Sequence, residues 1–98
     1  MKNTLYTLAL LVSFSSFGQT AKEYLKSGND KHYAKDYYGA IADYTKVIEL
    51  DPYYGKAYYN RSVMKENLGD LNGACADAKK AVRLGVTNEA EWVANHCK

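Results

Sequence analysis

The chain has 98 residues, of which 47% are hydrophobic and 24% are charged. This length allows one small domain, and the ordinary charged fraction excludes both a disordered acidic tail and a basic nucleic-acid arm. Thirteen Lys and Arg against eleven Asp and Glu give a net charge of +2. So weak a positive charge gives no support to a polyanionic partner, and we expect no nucleic-acid binding.

Residues 1–18 have the pattern of a cleavable signal peptide. Lys2 supplies the positive charge, and an apolar run covers residues 5–14. Ser16 and Gly18 are small enough for the two positions that signal peptidase reads. A membrane anchor and a buried first helix are the alternatives, but the apolar run is shorter than the roughly 20 residues that a span needs. We therefore expect export to the periplasm or the medium, with no membrane span after cleavage.

The rest of the chain repeats itself at an interval of 34 residues. Ten pairs of positions are identical in this register: Lys22/Lys56, Tyr24/Tyr58, Lys31/Lys65, Asp36/Asp70, Gly39/Gly73, Ala40/Ala74, Ala42/Ala76, Asp43/Asp77, Lys46/Lys80 and Leu50/Leu84. Trp92 continues the register, because it lies one interval beyond Tyr58. The repeat predicts a domain over 19–98, divided into repeat one (21–54), repeat two (55–88) and a capping helix (88–98).

The hydrophobic period inside each repeat is helical. Apolar residues in 37–48 follow the i, i+3, i+4, i+7 spacing of an amphipathic helix, and 71–82 repeat this pattern. A less regular helix precedes each of them, at about 21–34 and about 56–68. These patterns predict two antiparallel helical pairs.

A fifth helix is predicted at the end of the chain. Asn88 with Glu91 three residues later forms a capping-box-like start. We expect Trp92 to cover the end of the second helical pair, with Glu89, Glu91, Asn95 and Lys98 in water. The fold class predicted from the sequence is therefore all-α, with five helices.

A helix-turn-helix unit of 34 residues resembles the tetratricopeptide repeat, which has an aromatic, small residues, Ala, an aromatic and Pro at fixed offsets. The first unit supplies these at Tyr24, Ser27-Gly28, Ala40, Tyr44 and Pro52. The second supplies Tyr58, Ser62, Gly69-Asp70, Ala74 and Ala78. The resemblance implies an α-solenoid of about two and a half repeats, like those of small exported bacterial proteins of this family.

Two charged positions recur in both repeats. Lys31 and Lys65 stand where the family prefers Tyr, which predicts weaker aromatic packing between the helices. Asp43 and Asp77 are expected on a solvated outer face, because acid/base carboxylates would need one shared pocket.

The two cysteines favour a disulfide. If 71–84 and 88–97 form a hairpin that turns near Val86, Cys75 and Cys97 are equidistant from the turn and lie side by side. Oxidation would be permitted in an exported protein. Two free buried thiols, or a metal pair completed by His96, are the alternatives.

The sequence contains none of the motifs that mark a catalytic or cofactor site. It has no Gly-rich phosphate loop and no HExxH pattern. We expect neither an enzyme nor a bound cofactor or metal.

The resemblance implies a binding groove along the first helices of the repeats. By position, the groove residues are Lys22, Leu25, Lys26, Asn29, Lys56, Tyr59, Asn60 and Val93. An apolar floor with ammonium and amide edges suits an extended peptide with carboxylates or a free C-terminus. The run Tyr59-Asn60-Arg61-Ser62 is similar to the carboxylate-clamp version of the family. The resemblance implies a small adapter for a protein partner; the alternative is a structural unit that self-associates end to end or docks on a larger solenoid.

Overall fold

A computed structural model of the chain describes residues 19–98. The predicted signal segment lies outside these described residues. Within residues 19–98, five α-helices follow in chain order: α1 (Ala21–Tyr33), α2 (Tyr37–Leu50), α3 (Gly55–Asn67), α4 (Leu71–Arg83) and α5 (Ala90–His96). A short 3₁₀ helix, Thr87–Glu89, precedes α5. The described part of the chain contains no strand, and the predicted all-α architecture of five helices is confirmed.

The helices pack as two hairpins, which we call hairpin one (α1 and α2) and hairpin two (α3 and α4). An aspartate N-cap, Asp36 or Asp70, precedes each second helix, and its carboxylate accepts a hydrogen bond from the backbone N–H three residues later. Such N-caps satisfy one of the unpaired donors at a helix start. The turn before each cap places one residue at positive φ, which is Lys35 in hairpin one and Gly69 in hairpin two.

The core lies between the hairpins and consists mainly of small residues. The fully buried apolar side chains are Ala40, Tyr44, Val47, Ala57, Met64, Ala74, Ala78 and Ala81. Ala40, Tyr44 and Met64 form one cluster, so the two hairpins share a core. Short alanine side chains let helix axes approach closely, which explains why small residues recur at the repeat positions.

The last helix differs from its predicted start. The capping box at Asn88 and Glu91 is wrong: α5 begins at Ala90, and no side chain caps it. The 3₁₀ turn takes its place, because the Ala90 N–H donates to the Thr87 carbonyl. Glu89, expected in water, is partly buried, and burial with the nearby Glu66 charge raises its pKa.

Trp92 is partly buried and stacks on the His96 ring with 4.8 Å between the ring centroids. Among residues 19–98, no helix has the length and hydropathy that crossing a bilayer would require.

Candidate functional site

Asp43 and Asp77 are buried, so their predicted place on a solvated outer face is wrong. In hairpin one, the Asp43 carboxylate accepts a hydrogen bond of 2.6 Å from the Ser27 hydroxyl and pairs with the Lys31 ammonium at 2.9 Å. The hydrogen bond from the Lys31 ammonium to the Asp43 carboxylate raises the pKa of Lys31. A carboxylate can leave water here because partners on the facing helix replace its hydration.

The equivalent carboxylate in hairpin two makes stronger contacts. The Arg61 guanidinium donates two hydrogen bonds of 2.7 Å to Asp77, one to each carboxylate oxygen. Lys65 adds an ion pair of 2.8 Å to the same carboxylate. Bidentate Arg–carboxylate contacts are among the strongest that proteins make, and this one raises the pKa of Arg61.

Arg61 also joins the two hairpins. A third guanidinium N–H donates to the Thr45 hydroxyl of α2 at 3.1 Å. Its Cζ atom lies 5.8 Å from the centre of the Tyr58 ring, within the range of a cation–π contact. The Arg61 side chain therefore fixes α3 between α2 and α4, and no guanidinium group of this kind was predicted from the sequence.

A signal for these contacts was present in the sequence. Lys31 and Lys65 are separated by the repeat interval, and so are Asp43 and Asp77. Opposite charges repeated at matching positions of two facing helices indicate an ion pair. Considered one position at a time, the lysines indicate only missing tyrosines, and the ion pairs become evident when all four positions are compared together.

Predicted groove residues at equivalent positions of α1 and α3 have similar solvent exposure. Lys22 and Lys56, one repeat apart, are exposed on α1 and α3. Leu25 and Tyr59, also one repeat apart, are both half-buried. Two equivalent positions thus carry an ammonium group, and two carry an apolar side chain.

A cleft of about 420 Å³ lies beside α1. Its walls are formed by Ala21, Lys22, Leu25, Asp51 and Tyr54. The structure therefore brings two predicted groove residues, Lys22 and Leu25, to one concavity. Asn60 and Val93 are half-buried on α3 and α5, outside the lining of this cleft.

Two other groove residues have partners within the chain. The Lys26 ammonium pairs with Asp30 one turn later at 3.2 Å, and both side chains are exposed. The Asn29 side-chain oxygen accepts a hydrogen bond of 2.7 Å from the Tyr44 hydroxyl. Because this bond uses the oxygen of the amide, the Asn29 NH₂ group is left as a donor.

Tyr44 occupies the space opposite a glycine. A Cβ atom at Gly28 would lie 2.7 Å from Cε1 of the fully buried Tyr44 ring. Only glycine allows the ring to lie against α1 in this way. Burial raises the pKa of Tyr44 to about 12, with smaller contributions from Tyr33 and Asp43.

A disulfide joins Cys75 of α4 to Cys97, which follows α5, and the two Cα atoms are 5.5 Å apart. This is the pairing predicted from a hairpin that turns near Val86. With the bond formed, the two cysteines are neither free thiols nor metal ligands with His96. In the described segment 19–98, no group of three or more His, Cys, Asp or Glu is arranged to hold a metal ion.

Comparison with known proteins identifies one repeat family and several relatives. Residues 55–84 match the family model of the tetratricopeptide repeat. The chain is 39% identical over 70 residues to "Protein STIP1 homolog" of Dictyostelium discoideum, covering 71% of this chain and 12% of that protein.

Two further relatives are 36% identical over 64 residues, or 65% of this chain. They are "Tetratricopeptide repeat protein 36 homolog" of Nematostella vectensis, of which 35% is covered, and "DnaJ homolog subfamily C member 7" of Mus musculus, of which 13% is covered. The chain thus spans between 12% and 35% of the length of these relatives. Tetratricopeptide-repeat domains generally mediate protein–protein interaction and are generally non-catalytic. The repeat match, the relatives and the stacked helical hairpins together support the tetratricopeptide-repeat family for this chain.

Proposed function

We propose that this chain is a small exported adapter without enzymatic activity, which binds an extended peptide or a helix of a protein partner in the groove along α1 and α3. The observation that carries the proposal is the cleft of about 420 Å³, whose lining includes Lys22 and Leu25. Solenoids of this type use their concave surface for binding.

The chemistry of the groove suits a ligand with carboxylate groups. Leu25, Tyr59 and Val93 provide half-buried apolar surface, and Lys22 and Lys56 provide exposed ammonium groups. An apolar floor accepts side chains of the peptide, while the ammonium groups attract its carboxylates.

Arg61 is not among the carboxylate donors, although it belongs to the clamp-like sequence run. Its guanidinium is bound to Asp77 and Thr45. The donors that remain are the lysines and the amides of Asn29 and Asn60. Lys26 can join them, because an exposed ion pair such as that with Asp30 stabilises the fold little and exchanges readily.

Cross-linked capture of the partner tests the proposal. The double substitution Tyr59→Ala with Asn60→Ala removes the predicted apolar and amide contacts of the groove on α3, so the partner captured by the wild type should be lost. The matched control is Tyr38→Ala with Asn72→Ala, which removes an exposed aromatic and an exposed amide from the second helices. The proposal fails if both double variants capture the partner equally, or if only copies of this chain are cross-linked.

A synthetic peptide from the captured partner then tests the carboxylate preference. The same peptide with an amidated C-terminus, or with Asp and Glu changed to Asn and Gln, should bind at least about tenfold more weakly. Equal binding of all forms would leave an adapter without a carboxylate requirement.

Export is the second part of the proposal, and the Cys75–Cys97 disulfide supports it. Structural disulfides persist in oxidising compartments such as the periplasm and the medium. The signal-peptide pattern of residues 1–18 agrees with this location. Recovery from these fractions of a protein that begins at Gln19 is the expected result, whereas a cytosolic protein with two free thiols would contradict it.

A further inference from the structure

We propose that the Cys75–Cys97 disulfide is a redox-controlled latch: when oxidised it holds α5 against α4, and when a dithiol reduces it α5 is released while both hairpins stay folded. The inference is independent of the proposed binding groove. It rests on the weak docking of α5, on the place of the bond in the repeat and on its access to solvent.

The noncovalent docking of α5 is weak. The helix has seven residues, none of which is fully buried, and no side chain caps its start. The 3₁₀ turn before it also contains no buried residue. By contrast, α3 buries Ala57, Ser62 and Met64. An isolated helix as short as α5 is not stable in water, so its order depends on its attachment to α4.

The two cysteines occupy positions that hold apolar residues one repeat earlier. Counted back by the repeat interval, Cys75 corresponds to Ile41 and Cys97 to Val63. Ile41 and Val63 both pack against the core cluster formed between the hairpins. At the end of the solenoid, a covalent bond therefore joins two positions whose equivalents pack against the shared core one repeat earlier.

The bond is open to a reductant. Both cysteines line a surface cleft of about 280 Å³, together with Lys79, His96 and Lys98. The side chains of the cysteines are partly exposed. Thiol–disulfide exchange proceeds through thiolates, and the ammonium groups of Lys79 and Lys98 in the same cleft favour the thiolate of the departing cysteine.

The exchange is a two-electron reaction with a dithiol as the reductant. One thiolate of the dithiol attacks a sulfur of the disulfide, which forms a mixed disulfide and releases the other cysteine as a thiolate. The second thiolate of the dithiol then attacks the mixed disulfide and releases the remaining cysteine. The products are the cyclic oxidised dithiol and, after protonation, two cysteine thiols.

Release would uncover the α4 surface around Cys75. Next to it, Leu71 is 47% exposed even when the latch is closed. In oxidising surroundings the latch covers the end of the solenoid, and in reducing surroundings it leaves that end open.

Trp92 provides the measurement, because it is the single tryptophan of the chain and lies on α5. Dithiothreitol added to the oxidised protein should shift the Trp92 emission to the red and increase acrylamide quenching at least about twofold, as expected for local unfolding. The far-UV circular dichroism should lose no more than the seven helical residues of α5. Removal of the reductant and reoxidation should restore both signals.

The double variant Cys75→Ser with Cys97→Ser is the matched control, since it has an open latch without any reagent. It should show the red-shifted emission and should not respond to dithiothreitol. An emission unchanged by reduction and by the substitutions would overturn the proposal, because α5 would then stay docked without the bond. Loss of most of the helical signal on reduction would also overturn it, since the disulfide would then support the whole fold.

Discussion

Hairpins one and two have the same backbone plan but hold their helices together differently. Each contains a Lys–Asp pair at matching positions, Lys31–Asp43 at 2.9 Å and Lys65–Asp77 at 2.8 Å. Beside this pair, hairpin one has Ser27 and hairpin two has Arg61.

The space between the helices is also filled differently. Hairpin one places the fully buried Tyr44 against Gly28, whereas hairpin two has Ala78 and Ser62 at these repeat positions. Tyr44 opposite Gly28 and Ala78 opposite Ser62 are both combinations that fill the space between two closely packed helices. The two hairpins therefore share the spacing between their helices but not the contacts that maintain it. The stability of each hairpin should depend most on the side chains packed between its own helices.

The largest difference is expected at the buried aspartates. Asp77→Ala leaves both Arg61 and Lys65 without their carboxylate, and breaking a buried pair in this way costs about 3–5 kcal/mol. Asp43→Ala should cost less, because the Lys31 side chain is 40% exposed and water can replace the carboxylate, whereas Lys65 is 21% exposed. Urea unfolding measures both losses. Equal losses would show that Arg61 adds nothing to hairpin two.

Alkaline pH should affect hairpin one through Tyr44. Its pKa is about 12 in the folded protein and 10.0 is its ordinary value, so the stabilisation is complete below pH 10 and is lost as the pH rises through 12. The free energy of unfolding should fall by roughly 2–3 kcal/mol, because the Tyr44 hydroxyl loses its proton at lower pH in the unfolded chain than in the folded protein. Urea unfolding between pH 9 and about pH 12 measures it.

Tyr44→Phe is the control for this pH dependence. The variant loses the hydrogen bond to Asn29 at every pH but lacks the titration, so its stability should fall less steeply above pH 10. The remaining decline should include Lys31, whose raised pKa also makes its stabilisation disappear at high pH. The same slope in both proteins would contradict the role given to Tyr44.

A smaller effect is expected from one methyl group in α1. In Gly28→Ala, the new Cβ would lie 2.7 Å from the Tyr44 ring. Overpacking costs about 1–3 kcal/mol, and the better helix propensity of Ala returns about 1 kcal/mol, so we expect a net loss of up to about 2 kcal/mol. The matched change Ser62→Ala removes only a hydrogen bond to the Tyr59 carbonyl and should cost about 1 kcal/mol or less. Urea unfolding measures both changes. A higher free energy of unfolding for Gly28→Ala would show that the Tyr44 ring moves to make room for the methyl group.

The smallest effects are expected in the turns between the paired helices. Lys35 has φ of 61° and Gly69, its repeat equivalent, has φ of 82°. Lys35→Gly should stabilise by about 0.5–1 kcal/mol, since glycine adopts positive φ without strain. Gly69→Ala should destabilise by about 1 kcal/mol through the backbone alone, because no atom lies within 4 Å of the added Cβ. Thermal unfolding measures both effects. If the two substitutions shifted Tm in the same direction, backbone strain at positive φ would not explain them.

The hairpins and their order were predictable because they follow from periodicity. Apolar residues of α2 and α4 recur at helical spacing, and the repeat interval aligns Tyr24 with Tyr58. The start of α5 was not predictable in the same way. Asn88 and Glu91 have the spacing of a cap, but the backbone satisfies the same donor through a 3₁₀ turn.

The candidate site was predicted unevenly. The groove positions were transferred from the family pattern, and the structure brings Lys22 and Leu25 to one cleft. Arg61 was identified only as part of a clamp-like run, whereas its side chain joins α2, α3 and α4. Helical spacing along one helix does not reveal such a contact, because its partners lie 16 residues away in either direction.

The sequence by itself determined the repeat length and the two helical pairs, and it favoured the pairing of Cys75 with Cys97, since each depends on spacing along the chain. The tertiary structure decided which polar groups are buried. Asp43 and Asp77 leave water only because a facing helix brings a lysine, with a serine or an arginine, to within hydrogen-bonding distance. The free energy of a buried charge depends on its neighbours in space, and a helical pattern cannot specify them.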